Sequence, residues 1–148
     1  MKTAILFYSK HHGNTKKLLD AIAAADPDVD LVDVTTAGKT DLSGYDRIGI
    51  ASGIYYSSFA KQILEAASAS LPSGKKVFFI ATCGSMRNLY FRGIKAITKK
   101  KGCESLGEFL CLGFDTFGPF KLVGGIAKGH PTEDEIGAAV KFYESLEG

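Results

Sequence analysis

A short polar segment at residues 9–15 has the residue types needed to hold a phosphate group. It follows the apolar run Ala4–Tyr8 and precedes a segment with helical spacing. The N–H groups and partial positive charge of a helix N-terminus attract an anion, and hydroxyl and amide side chains add hydrogen bonds. The segment therefore predicts a phosphate site, with a plain helix cap by Asn14 or Thr15 as the alternative. Its members are Ser9, Lys10, His11, His12, Gly13, Asn14 and Thr15.

Two other kinds of phosphate-binding motif are absent from the sequence. Gly38-Lys39-Thr40 looks like the end of a Walker A loop, but Asp33 stands where the first glycine of that motif is required. The sequence has no G-x-G-x-x-G, which excludes the dinucleotide fingerprint of the Rossmann type. We therefore expect the phosphate of a mononucleotide.

Two further segments have residue types suited to a flat ligand. Residues 52–59 include Tyr55 and Tyr56, whose rings can cover an aromatic ring system while the hydroxyl faces water. For either tyrosine alone, capping of a sheet edge is the alternative. Residues 82–86 include Met86, a flexible apolar side chain, and Cys83. A nucleophilic role for Cys83 is disfavoured because no histidine is placed in the sequence to activate it.

The elements that must position these segments alternate between short apolar runs and longer amphipathic stretches. The pattern predicts strands at Ala4–Tyr8, Val29–Val34, Arg47–Ser52, Lys76–Ala81 and Glu104–Cys111. It predicts helices at Asn14–Ala25, Phe59–Leu71 and Leu89–Lys101, and a last helix opened by a capping box from Thr132 to Glu135. Such alternation requires a parallel sheet with helices on both faces. Ligands bind such sheets at the carboxyl ends of the strands, where the segments after strands one, three and four should meet.

Composition narrows the class of protein. The chain has 148 residues, with 45% hydrophobic and 23% charged residues, which fits one globular domain. Its net charge of +2 argues against a dedicated nucleic-acid partner, and no apolar stretch is long enough for stable membrane insertion. Cys83, Cys103 and Cys111 form no C-x-x-C pair, which predicts a reducing, cytoplasmic location and no metal site.

The polar segment at 9–15 resembles the phosphate loop of flavodoxins, with His11 where that family usually has Ser or Thr. A protonated His11 would help to neutralise a phosphate. The resemblance implies an α/β, flavodoxin-like three-layer sandwich over residues 1–148. Its five-stranded parallel sheet would have the order 2-1-3-4-5, with helices on both faces and FMN at the switch point, for which flavodoxin is a standard example.

The resemblance also implies which residues contact the flavin ring. They are Ser52, Gly53, Ile54, Tyr55 and Tyr56 in one segment, and Thr82, Cys83, Gly84 and Met86 in the other. Flavodoxins usually have a glycine in the first segment whose peptide bonds the flavin; here Gly53 is the only glycine, and other residues reach positive φ at a cost. The tyrosine that stacks on the outer face of the ring is replaced by Asn88, with Tyr90 slightly beyond.

The sequence bears on three possible functions. An electron carrier would use FMN with redox partner proteins, as a monomer or weak dimer, and its positive net charge would suit acidic partners. The alternative is an FMN-dependent oxidoreductase, because residues 53–59 also resemble quinone-linked protoporphyrinogen oxidases; a quinone would then be a partner. A flavin-free receiver module lacks support, because Ser9 and Lys10 stand where its acidic pair is required. The glycine-rich segment 114–131 is either a lid or a partner surface.

Overall fold

The structure is a computed structural model that describes residues 1–8, 13–113 and 127–146. Strands and helices alternate along the chain, and a short 3₁₀ turn, Asn88–Phe91, precedes the third helix. In chain order the elements are β1 (Thr3–Tyr8), α1 (Asn14–Ala25), β2 (Val29–Asp33), β3 (Arg47–Tyr55), β4 (Ser58–Phe59), α2 (Lys61–Ser70), β5 (Lys76–Cys83), α3 (Arg92–Lys100), β6 (Glu104–Leu112) and α4 (Glu133–Ser145).

The sheet has the predicted parallel arrangement. Its strands lie in the order β2-β1-β3-β5-β6, and every neighbouring pair along this path is parallel. This is the order 2-1-3-4-5 when the five parallel strands are numbered by themselves, so the predicted fold class is confirmed. The short strand β4 adds an antiparallel hairpin to the end of β3.

Helices cover both faces of the sheet, as the continuous apolar strands predict. On one face, α2 and α3 bury Leu6, Ile50 and Phe79. On the other face, α1 and α4 bury Ile5 and Phe78. Because both faces are covered, polar ligands have access only to the edges at which loops leave the strands.

Three of the predicted boundaries were wrong next to the site. The third strand does not end at Ser52 but continues to Tyr55 and turns back through Ser58–Phe59. Phe59 therefore belongs to a strand, and α2 begins only at Lys61. Likewise β5 continues to Cys83, because it stays paired with β6 to its end. Hydrogen bonding to a neighbouring strand, which a local pattern does not reveal, extends both strands into the segments predicted as loops.

Two helix ends agree with their sequence signals. Helix α3 ends at Lys100 and is followed by Gly102 in the left-handed region at φ 70°; basic residues in the last turn and a glycine after it are typical of a helix C-terminus. The predicted capping box opens α4: Glu135 N donates to Thr132 Oγ1 at 3.2 Å, and Thr132 N donates to Glu135 Oε1 at 2.8 Å. The C-terminus of α3 and the N-terminus of α4 are therefore fixed by local sequence.

The buried cation Arg47 lies at the amino-terminal edge of the sheet, away from the strand ends that carry the site. Its Nε donates to Thr3 Oγ1 at 2.9 Å, and its guanidinium lies 4.6 Å from the centre of the Tyr143 ring. Tyr143 in turn donates to Asp26 Oδ2 at 2.6 Å. This network ties α4 to β1 and to the end of α1, which gives Arg47 a structural role.

Candidate functional site

The three predicted segments meet at the carboxyl edge of the sheet. Tyr8, the last residue of β1, pairs with Ser52 in β3, and the next residue of β3, Gly53, pairs with Thr82 in β5. Thr82 also pairs with Cys111 near the end of β6. The chain therefore leaves β1, β3, β5 and β6 side by side, which is where a doubly wound sheet binds its ligand.

The beginning of α1 lies next to the end of β1. Ser9, Lys10, His11 and His12 lie outside the described residues. Gly13 is the N-cap of α1, at φ 65° and ψ 24°, and no side chain makes a cap hydrogen bond there. The alternative of a plain cap by Asn14 or Thr15 is therefore wrong. Left-handed backbone at this position favours glycine and allows the first turn of α1 to face the sheet edge.

A buried hydrogen bond joins α1 to the end of β5. Thr15 Oγ1 lies 2.9 Å from Thr82 Oγ1, and the two side chains are 0% and 3% exposed. Buried hydroxyls need partners, and each of these satisfies the other. Thr15 and Thr82 were predicted for the phosphate and for the ring, respectively; the structure places them in contact beneath the site.

A close approach that the sequence did not predict holds Asn14 in place. Gly113, directly after β6, lies against the Asn14 side chain: a Cβ on Gly113 would stand 2.7 Å from Asn14 Nδ2 and 2.9 Å from Asn14 Cβ. Gly113 N also donates to the carbonyl oxygen of Cys83 at 2.8 Å. No feature of the local sequence marks Gly113, because the contact joins residues that are 99 positions apart (113 − 14).

Ser52 has a structural role within the segment predicted to contact the ring. It is fully buried; its Oγ donates to the carbonyl of Gly53 at 2.5 Å and accepts from Ala60 N at 3.0 Å. The second bond spans the β3–β4 hairpin from its base to the residue before α2. Ser52 thus fixes the geometry of the segment from below.

The hairpin turn contains two successive residues with positive φ. Tyr55 pairs with Ser58, and the residues between them, Tyr56 and Ser57, have φ of 49° and 63°. Two left-handed residues are typical of the type I′ hairpin turn, which favours Asn and Gly at these positions. A non-glycine residue in this region costs about 1–2 kcal/mol. The left-handed conformation expected to require glycine is therefore present here without one.

The two adjacent tyrosines have different environments. The ring of Tyr55 makes an edge contact with Tyr8 at 5.8 Å between centroids, and it lies over Gly53. Tyr56 is 82% exposed. Tyr55 therefore packs on the end of β1, and Tyr56 presents its ring to solvent.

The segment after β5 is anchored at one end and exposed at the other. Cys83 is buried, and its thiol donates to the carbonyl of Cys111 at 3.5 Å. Tyr90 is also buried, and its hydroxyl donates to the carbonyl of Ser85 at 2.6 Å. Tyr90 therefore braces this segment from within and does not present its ring outward. Met86, two residues after the half-buried Gly84, is 54% exposed.

A clasp around Glu135 closes the β6 side of the edge. Glu135 Oε2 accepts from Leu112 N at 3.2 Å, and Nδ1 of His130 lies 2.5 Å from Oε1. Burial alone would raise the pKa of Glu135, but the hydrogen bonds from Thr132, His130 and Leu112 lower it. The capping box identified Glu135 in the sequence, whereas its bonds to β6 and His130 were missed.

Cys111 lacks the features of a reactive thiol. Burial, with smaller contributions from Glu135 and Cys83, raises the pKa of Cys111 to about 12, so its thiol stays protonated and poorly nucleophilic. Within residues 1–8, 13–113 and 127–146, no group of three His, Cys, Asp or Glu side chains could hold a metal ion. No helix in the same part of the chain is long and apolar enough to cross a membrane.

Known proteins resemble this chain in sequence and in fold. Residues 5–102 match the family described as a flavodoxin domain. An uncharacterized protein of Methanocaldococcus jannaschii is 36% identical over 148 residues, which cover 99% of this chain and 98% of that protein.

Two solved structures have the same fold at much lower identity. Flavodoxin of Fusobacterium nucleatum bound to flavin mononucleotide superposes with a TM-score of 0.65 at 16% identity, over 99% of this chain and 100% of that chain. Rubredoxin oxygen:oxidoreductase of Desulfovibrio gigas gives a TM-score of 0.72 at 11% identity, over 99% of this chain and 35% of that chain.

Proposed function

The chain belongs to the flavodoxin domain family, and we propose that it is an electron-transfer protein that binds one FMN at the carboxyl edge of its sheet. The cofactor is supported by the family match and by neighbours of the same fold, among them a flavodoxin bound to flavin mononucleotide. The observation that carries the proposal is the meeting of the α1 N-terminus with the ends of β3 and β5, beside two exposed side chains, Tyr56 and Met86.

The phosphate of FMN would lie at the start of α1, within residues 9–15. Gly13 leaves this helix end without a side-chain cap, and the first-turn N–H groups of a helix favour an anion. The buried Thr15–Thr82 bond and the contact between Asn14 and Gly113 hold that first turn rigidly on β5 and β6. Rigid donors lose little entropy when they bind a ligand.

The ring of FMN would lie between the segment around residues 53–56 and the segment around residues 82–86. Tyr56 would stack on the ring, because it is exposed and flat. Met86 would cover the ring from the second segment as a polarizable apolar side chain. Backbone groups of Ile54, Tyr55 and Gly84 would bond the ring edge, and the buried Ser52 and Cys83 would support them from below.

When bound, FMN supplies the redox chemistry, since it accepts electrons from a donor and passes them to an acceptor. The protein binds and orients the cofactor and limits the access of water. We propose redox proteins as the partners and the cytoplasm as the site of action. Residues 1–148 would form one FMN-binding domain.

Reconstitution with FMN tests the proposal directly. The purified protein should show flavin absorbance, release FMN in acid, and quench the fluorescence of added FMN on rebinding. Thr15→Val should weaken FMN binding by about tenfold, because it removes the buried bond to Thr82 that holds the first turn of α1 in place, a loss of roughly 1.5 kcal/mol. Thr98→Val is the matched control: Thr98 is a buried threonine of α3 whose hydroxyl donates to the carbonyl of Lys95. A protein that cannot be reconstituted with FMN would refute the proposal.

The alternative, an FMN-dependent oxidoreductase that uses a quinone, stays a prediction from the resemblance of residues 53–59. The reconstituted protein separates the two. A carrier should exchange electrons with a protein partner and show no saturable turnover of a soluble quinone. Saturable quinone turnover would favour the enzyme.

A further inference from the structure

Three exposed apolar side chains lie where the ring-binding segments reach the surface. Tyr56, Met86 and Leu89 are 82%, 54% and 39% exposed, and we name them the apolar corner. Their segments leave neighbouring strands, since Gly53 pairs with Thr82. The position of a Cβ on Gly93 lies 3.6 Å from Ser58 Oγ, so the start of α3 also packs against the hairpin.

The charges around the apolar corner have one sign. Lys61, Arg87 and Arg92 are exposed at the starts of α2, the 3₁₀ turn and α3. No Asp or Glu occurs in residues 53–64 or 84–103. In the described part of the chain Arg87 and Arg92 form no salt bridge, and Lys61 has only an exposed contact with Glu65 at 3.8 Å. Such exposed pairs are weak. Because the surrounding segments contain cations and no carboxylates, the corner has a net positive charge.

The acidic groups of the same edge lie on its other side. Glu133 and Asp134 are exposed at the start of α4, which packs on the opposite face of the sheet with α1. The exposed cation Lys128 stands just before α4, so the α4 side carries charges of both signs, whereas the described residues around the apolar corner carry only positive charges. A charged partner would be both attracted and oriented by this asymmetry.

We infer that the apolar corner, with Lys61, Arg87 and Arg92 around it, is the docking surface for an acidic redox protein. The inference rests on the proposed function, because it places the partner beside the ring of FMN. An apolar centre with a charged rim is the usual anatomy of a protein interface. The positive rim selects a partner with carboxylates around its own redox centre. A tyrosine and a methionine at the centre suit such an interface, because Tyr is enriched at interfaces and the flexible Met side chain adapts to a partner.

Electron transfer with two probes of opposite charge tests this surface. The FMN-loaded protein is mixed in a stopped-flow instrument with a reduced plant-type [2Fe–2S] ferredoxin, an acidic carrier. One electron passes from the cluster to FMN, so the ferredoxin is oxidised and the flavin is reduced. Cytochrome c, a basic carrier, is the opposite probe and accepts an electron from the reduced flavin. Each rate is measured against ionic strength.

Two matched pairs of substitutions locate the surface. R87Q/R92Q removes two charges from the apolar corner, and K99Q/K100Q removes two from the exposed far end of α3. At low salt we expect R87Q/R92Q to slow the reaction with ferredoxin by about five- to tenfold and K99Q/K100Q to change it less than about twofold. Salt should slow the wild-type reaction and abolish the difference between the variants. With cytochrome c, R87Q/R92Q should speed the reaction.

Several results would overturn the inference. The first is an equal effect of the two variant pairs on the rate with ferredoxin, and the second is a rate with ferredoxin that salt does not lower. The third is binding to anionic vesicles or RNA that depends on Arg87 and Arg92, while binding to ferredoxin does not. Direct binding to immobilised ferredoxin, measured with and without FMN, gives a readout that needs no flavin. Failure to bind FMN contradicts the proposed function, whereas normal FMN binding without charge-dependent docking contradicts only this inference.

Discussion

The phosphate side and the ring side of the candidate site are built in different ways. On the phosphate side, Asn14 and Thr15 are buried and held by elements distant in sequence, through the contact with Gly113 and the bond to Thr82. On the ring side, the hairpin turn has two left-handed residues, one of which is the exposed Tyr56. One side is held by long-range packing, the other by a short strained turn.

The difference matches the two tasks of an electron carrier. A phosphate is held best by donors that are already in position, because their entropy has been lost on folding. A flavin ring must stay accessible to a partner, so the groups around it lie at the surface. Substitutions on the two sides should therefore separate stability and cofactor affinity from access to the ring.

The largest expected effect is that of Gly113→Ala. Its Cβ would stand 2.9 Å from Asn14 Cβ, which is not the far end of a flexible side chain, so Asn14 or β6 must move. We expect the free energy of unfolding to fall by about 1–3 kcal/mol and FMN affinity to fall by about tenfold or more. Urea unfolding and fluorescence titration measure the two quantities.

Gly44→Ala is the matched control for Gly113→Ala, because nothing lies within 4 Å of a Cβ at Gly44. It should leave both stability and affinity nearly unchanged. Equal losses in the two variants would show that the contact with Asn14 is unimportant.

The next effect comes from the hydroxyl pair below the site. Thr82→Val leaves the Thr15 hydroxyl buried without its partner, at a cost of about 1–2 kcal/mol in the free energy of unfolding. A double-mutant cycle with Thr15→Val should give a coupling energy of about 1 kcal/mol. Additive effects of the two substitutions would mean that the bond contributes nothing to stability.

These two effects also show what the sequence could and could not predict. The fold, α1 and the capping box follow from periodicity and end signals near each residue, as with Thr132 and Glu135. The environments of Gly113 and Thr82 depend on which strand ends are neighbours, and no local pattern records them. The hairpin at Tyr56 was missed for a related reason: Tyr56 and Ser57 are not the Asn and Gly that this type of turn favours, and pairing of β4 with β3 imposes the conformation.

Removing a glycine on the phosphate side and introducing one on the ring side should change the free energy of unfolding in opposite directions. Gly13→Ala places a side chain at φ 65°, and we expect it to lower the free energy of unfolding by about 1 kcal/mol and to weaken FMN binding. Ser57→Gly removes the strain at φ 63°, and we expect it to raise the free energy of unfolding by about 0.5 kcal/mol. Its effect on FMN affinity should be less than about twofold.

The effects of Ser57→Gly and Gly13→Ala on FMN binding test whether only the phosphate side holds the cofactor. If Ser57→Gly weakened FMN binding as much as Gly13→Ala, the rigid turn on the ring side would also be needed to hold the cofactor. The division of tasks between the two sides would then be wrong. Thermal unfolding with and without FMN separates these cases.

The smallest effect should appear in acid, on the phosphate side. The pKa of Glu135 is lowered below its ordinary value of 4.5, because the hydrogen bonds from Thr132, His130 and Leu112 outweigh burial. The folded state therefore binds a proton on this group less readily than the unfolded state. Its stabilisation is present above pH 4.5 and is lost as the pH falls through the lowered pKa.

Glu135→Gln should flatten the dependence of stability on pH in this window, by less than about 1 kcal/mol, since the carboxylate is partly exposed and screened. Glu135 accepts a hydrogen bond from Leu112 N, and the next residue, Gly113, packs against Asn14. Protonation of Glu135 should therefore loosen the end of β6 and the N-terminus of α1 at a higher pH than the hairpin. Fluorescence of released FMN should therefore rise at a higher pH than the unfolding transition in the wild type, and this gap should narrow in the variant. Coincident transitions in both proteins would show that the two sides of the site open as one unit.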